Sequence, residues 1–117
     1  MSSQNKLQDD ARTAVIIAGR VFVPVEDVET FVAEARATSY PLAAANPGNV
    51  LMSFCVEAAA TGAVTVLEQW TSQDALDRHV ATPEVTALLA TWGTRIRNEV
   101  RRFDASEPGA RSGPDRQ

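Results

Sequence analysis

A single cysteine, Cys55, leaves this chain unable to close an internal disulfide. One cysteine and one histidine, His79, also fall short of the thiolate and imidazole sets that hold zinc. Lysine is almost absent, since every basic residue other than Lys6 is arginine. Positive charge is in deficit, and the formal net charge is −4. That balance excludes the basic footprint of a nucleic-acid binder and the polybasic patch of a membrane-surface protein. No apolar run approaches the roughly 20 residues that a membrane span needs. The opening residues SSQNKLQDDART carry no apolar signal core, so the default expectation is a cytoplasmic protein.

What is present is one domain's worth of chain, 117 residues. Residues 1–12 read as a disordered lead. Residues 105–117, rich in Gly, Pro and small polar side chains, read as a disordered tail. The folded unit is expected over 13–104. Its first strand, Thr13 to Val23, is apolar on both alternating sets: Val15, Ile17 and Val21 on one side, Ile16, Ala18 and Phe22 with Arg20 on the other. Pro24 ends it. Val25, Val28, Phe31, Val32, Ala35 and Leu42 then recur at helical spacing, and Pro41 is expected to kink or interrupt that helix. Asn46-Pro47-Gly48-Asn49 reads as a turn.

Two strands follow, Val50 to Glu57 and Ala63 to Trp70, joined by a loop over Ala58 to Gly62. Cys55 falls in the first of them and reads as a small hydrophobe. Thr71 or Ser72 caps a short helix whose one face holds Ala75, Leu76, His79 and Val80. Thr82-Pro83 starts another, with Val85, Leu88, Leu89, Trp92 and Ile96 as its apolar stripe and Gly93 as its stop. A last strand spans about Arg97 to Asp104.

The order is β-α-β-β-α-β with the second helix broken in two. This is an α+β, ferredoxin-like antiparallel sheet. Its helices cover one face only, yet the first strand is apolar on both. A second copy of the chain is the simplest cover for the other face, which gives a homodimer with sheets packed face to face, a dimeric α/β barrel.

The chemistry-bearing residues converge on the stretch Val64 to Ala90. His79 is the one imidazole, able to take a phenolic proton near neutral pH; its plainer role is a helix histidine bonded to backbone or to Glu68. Trp70 and Trp92 are candidate aromatic walls, or plain packing. Glu68 is an acid in an apolar strand that needs a partner, for which Arg20 is a natural candidate; the pair would orient a ligand or simply neutralise each other. Tyr40 can reach a pocket mouth or anchor a helix end. Phe22 is a candidate apolar wall. Small ligands favour an apolar cavity with few polar groups, and a small aromatic fits this set.

The combination resembles the antibiotic biosynthesis monooxygenase family of dimeric α+β barrels. The carrying residues are Asn46-Pro47-Gly48, then Leu67-Glu68-Gln69-Trp70. Asp74-Ala75-Leu76-Asp77-Arg78-His79, Ala81-Thr82-Pro83-Glu84-Val85 and Ala87-Leu88-Leu89 complete them. The resemblance spans about residues 13–104. It implies oxidation of quinols, anthrones or related polycyclic phenols by molecular oxygen, with no metal or flavin. The protein binds an electron-rich aromatic, helps deprotonate it and lets the anion reduce oxygen. It does not extend to the haem-degrading relatives, because the first strand has no Asn and the position of their helical His falls near Leu88 and Leu89. The same barrel also serves two other readings: a non-catalytic module that binds a small aromatic, and an isomerase- or cyclase-like protein using the same base without oxygen.

Overall fold

The computed structural model describes residues 13–106, with the side chain of Thr13 left aside. The expected lead over 1–12 lies outside the described residues. So does the expected tail, apart from Ala105 and Ser106, which extend the last strand. The elements are β1 (Thr13–Phe22), α1 (Val28–Ala45), β2 (Asn49–Ala58), β3 (Ala63–Trp70), α2 (Gln73–Val80), α3 (Pro83–Trp92) and β4 (Arg97–Ser106). Single turns of 3-10 helix at Val25–Asp27 and Ala59–Thr61 join β1 to α1 and β2 to β3. The four strands lie in the order β2-β3-β1-β4, and every neighbouring pair is antiparallel. This is the ferredoxin-like α+β arrangement that the element order implies.

The register sorts the sheet into two faces. On the helix side, Glu68 lies between Met52 and Ile17; Val66 lies between Phe54 and Gly19; Val64 lies between Val56 and Val21. Strand β4 adds Arg102, Val100 and Asn98 to the same three rows. Here sits the main core, built by Val21, Val64 and Val66 of the sheet against Phe31, Val32 and Ala35 of α1 and Trp92 of α3. The opposite face carries Ile16, Ala18, Arg20 and Phe22, with Leu51, Leu67 and Phe103 exposed beside them. Cys55 belongs to this open face. It is exposed there, a small side chain on the uncovered side of its strand.

Pro41 does not interrupt α1, which continues to Ala45. The last turn is held by its packing: Ala43 is buried with Val15, Trp70, Ala75 and Leu76 in a second small cluster. Burial there outweighs the one backbone bond that a proline cannot make.

Two glycines are required by close approach. At Gly62 the backbone is left-handed, φ 77°, and a Cβ would stand 1.9 Å from the Val23 carbonyl oxygen. At Gly48 a Cβ would meet the Ala75 Cβ at 2.3 Å. That contact locks the Asn46-Pro47-Gly48 turn onto the first turn of α2. Asn46 completes the lock, since its Nδ2 donates to the Ala75 carbonyl and its Oδ1 accepts from the Gly48 amide. The helix that carries His79 is thereby fixed to the strand end that carries Trp70, whose neighbour Thr71 donates its amide to the Gly48 carbonyl at 2.8 Å.

Candidate functional site

Between the helices and the sheet lies an apolar cavity of about 330 Å³. Its floor is Ile17, Val21, Val66 and Val100; α1 adds Phe31, Ala35 and Ser39; α3 and its exit add Val85, Leu88, Leu89, Trp92 and Ile96. Glu68, His79 and Asn98 bring most of the polar chemistry.

His79 sits in the last turn of α2. Ser72 caps the start of that helix, its Oγ accepting from the Ala75 amide. The end is tied by Thr82, whose hydroxyl donates to the His79 carbonyl at 2.7 Å. The imidazole is 5 % exposed and its ring centroid lies 4.9 Å from that of Trp70. Its Nδ1 is buried without a hydrogen-bond partner among the described residues. The C-terminal end of a helix favours a cation, but here burial wins and pushes the imidazole pKa below its ordinary value. The ring is therefore neutral at pH 7, the form able to accept a proton. The expected bond from His79 to Glu68 is not made.

Glu68 bonds instead to Trp70, whose indole Nε1 donates to Oε1 at 3.0 Å. Burial raises the carboxyl pKa above its usual range, and the indole bond partly offsets that rise. The expected pairing with Arg20 is also absent. Cross-strand register places Arg20 on the open face, where its guanidinium grips both carboxylate oxygens of Glu57 at 2.8 and 2.9 Å. Phe22 shares that open face, with the Arg97 guanidinium 4.0 Å from its ring centroid. Neither Arg20 nor Phe22 can reach the cavity through the sheet.

Trp70 is fully buried in the cluster beside the cavity, with no ring face left for a ligand. Its contribution is positional, holding Glu68 and backing His79. Trp92 does line the cavity. Its ring is fixed edge-on to Phe31, centroids 5.2 Å apart, and its Nε1 donates to Glu34 Oε1 at 2.9 Å. Tyr40 stands outside the cavity lining as an anchor. Its ring stacks on Phe54, and its hydroxyl accepts from the Phe54 amide at 3.1 Å.

The structure thus brings together Glu68, His79 and Trp92 and excludes Arg20, Phe22, Tyr40 and Trp70. Two lining residues escaped the sequence reading. Ser39, buried in α1, follows Ala35 by four positions and so continues the apolar stripe. Asn98 alternates with Val100 on β4, and its Oδ1 accepts from the Val100 amide at 2.8 Å. Among the described residues no group of three or more His, Cys, Asp or Glu is placed to hold a metal ion. No helix among them is long and apolar enough to cross a membrane.

Solved structures share this fold. A candidate antibiotic biosynthesis monooxygenase from Nitrosomonas europaea superposes with a TM-score of 0.68 at 14% identity, covering 87% of this chain and 96% of its own. One of the same description from Caulobacter crescentus gives 0.68 at 18% identity, covering 89% and 97%. The Rv0793 protein of Mycobacterium tuberculosis gives 0.60 at 23% identity, covering 86% and 99%. At these identities the likeness is one of fold. No curated protein matches the chain. The antibiotic biosynthesis monooxygenase family matches residues 14–91, most of the folded unit, and the chain belongs to that family.

Proposed function

We propose that this protein is a cofactor-independent monooxygenase of quinol-like or fused-ring phenolic substrates, working as a homodimer. The observation that carries the reading is a buried His79, its imidazole pKa lowered by that burial, on the wall of an apolar cavity that also holds one carboxylate. The volume of about 330 Å³ suits a compact aromatic of two or three rings, at the small end of ligand pockets, which run from about 300 to 1,000 Å³. His79 takes the acidic proton of the bound phenol or anthrone, the imidazolium so formed balances the charge of the resulting anion, and the apolar walls keep that anion electron-rich. For an anthrone the balance is complete with oxygen alone. The methylene becomes a carbonyl, one oxygen atom stays in the product and the other leaves with two hydrogens as water.

The test is oxygen uptake by metal-free protein over a panel of anthrones and naphthoquinols. The reading expects uptake above the spontaneous rate that His79→Ala abolishes. Uptake unchanged in that variant removes His79 from the mechanism. Saturable binding without uptake supports the non-catalytic module, and an isomerised product without uptake supports the isomerase reading.

Pairing is supported by the open face, where Leu51, Leu67 and Phe103 are 40 %, 37 % and 49 % exposed around the partly buried Ile16 and Ala18. An apolar surface of this kind, left facing water, marks an interaction site. Sedimentation is expected to give two copies per particle, and Phe103→Glu to give one. A stable monomer of the unaltered chain at micromolar concentration contradicts the pairing.

A further inference from the structure

We propose that Glu68 makes the cavity selective for neutral hydroxyaromatics, accepting the ligand's O–H and rejecting aromatic acids of the same shape. This rests on the cavity reading above and adds the charge class of the ligand.

Apart from His79, the cavity lining contains no basic side chain among the described residues, and burial disfavours the charged form of the His79 ring. Its one acid, Glu68, spends one oxygen on the Trp70 indole and makes no other hydrogen bond among the described residues. The acceptor capacity left on that carboxylate faces a site with apolar walls. A neutral phenol supplies the missing donor. A carboxylate would bring a second negative charge into the same low-dielectric space, where like charges repel strongly.

The cation in the same cross-strand row is Arg102, with Ile17 between it and Glu68. Its guanidinium is engaged elsewhere. Its Nε donates to Gln73 Oε1 at 2.7 Å and its terminal nitrogen pairs with Asp104 at 2.9 Å. Among the described residues nothing lowers the pKa of Glu68 except the Trp70 indole, so none of their cations reaches the carboxylate. An anionic ligand would find the same absence.

Isothermal titration at pH 8 with three matched probes tests this: 1-naphthol, naphthalene and 1-naphthoate. The unaltered protein is expected to bind naphthol at least about tenfold tighter than naphthoate, and tighter than naphthalene. Glu68→Gln keeps an oxygen for the Trp70 indole and removes the charge. It is expected to bind naphthoate more tightly than the unaltered protein does, and so to lose most of the tenfold preference. A gain of affinity cannot come from misfolding. Equal affinities for naphthol and naphthoate in the unaltered protein, or the same preference in Glu68→Gln, overturns the inference while leaving the cavity as a binding site. Failure of all three probes to bind removes the cavity reading itself, and this inference with it.

Discussion

His79 is a poor choice for stability, and that can be measured. Its ring is 5 % exposed and its Nδ1 has no hydrogen-bond partner among the described residues. In either tautomer, that nitrogen is a buried donor or acceptor left unpaired, which costs about 1–3 kcal/mol. His79→Leu removes the orphan atom and keeps a side chain of similar bulk against Trp70. It also forfeits the ring contact, worth about 0.5–1.5 kcal/mol. The balance favours the variant by about 1 kcal/mol, a rise of about 4–8 °C in Tm for a domain near this size. Urea unfolding at pH 7.5, at equal protein concentration and with unchanged slope, reads the difference.

The pH dependence carries a sign of its own. The folded-state pKa of His79 lies below its ordinary value of about 6.5, so the unfolded chain binds more protons in the interval between them. Stability is then complete above about pH 6.5 and declines as pH falls toward the folded value. The leucine variant lacks that decline. Destabilisation of the variant by about 2 kcal/mol or more at pH 7.5 refutes the reasoning, because it makes the imidazole a structural support.

Gly48→Ala puts a methyl 2.3 Å from the Ala75 Cβ, and overpacking of that kind is expected to cost about 1–3 kcal/mol in denaturant unfolding. No loss would show that the turn and α2 are not locked together. Trp70→Phe removes the donor that steadies Glu68, and is expected to cost about 1–3 kcal/mol at pH 7.5. Because burial raises the folded-state pKa of Glu68, the unaltered protein loses stability as pH climbs from the ordinary carboxylate range through that raised value. Trp70→Phe is expected to deepen that loss. A pH profile parallel to that of the unaltered protein contradicts the bond.

The fold was legible because its signals are local and repeated. The two-sided apolar pattern of β1 and the Thr82-Pro83 helix start each map to one element. Family-specific residues such as Asn46-Pro47-Gly48 and Glu68-Gln69-Trp70 added the topology. The site was legible in part. His79 and Trp92 lie on apolar helix stripes, and such stripes point at the sheet wherever the helices sit. Charge partners were not legible, because they depend on strand register. Arg20 and Glu68 differ by one step in the alternation across β1 and β3, and that step puts them on opposite faces of the sheet. For Trp70 a strand pattern sets a side and not a depth, so aromatic wall and plain packing both stayed open. It points to the helix side, but Ala43, Ala75 and Leu76 close over it. Asn98 escaped because its strand carries charge at most other positions.

The chain's single histidine permits a direct measurement on the centre of this account. Untagged protein labelled with nitrogen-15 only at histidine gives one imidazole, and its ring-nitrogen shifts report protonation and contact together. We expect a neutral ring at pH 7, a titration midpoint below 6.5, and shifts of both ring nitrogens on adding 1-naphthol. A midpoint at or above 6.5, or a ring that saturating naphthol leaves unmoved, contradicts a desolvated base on the wall of a ligand cavity.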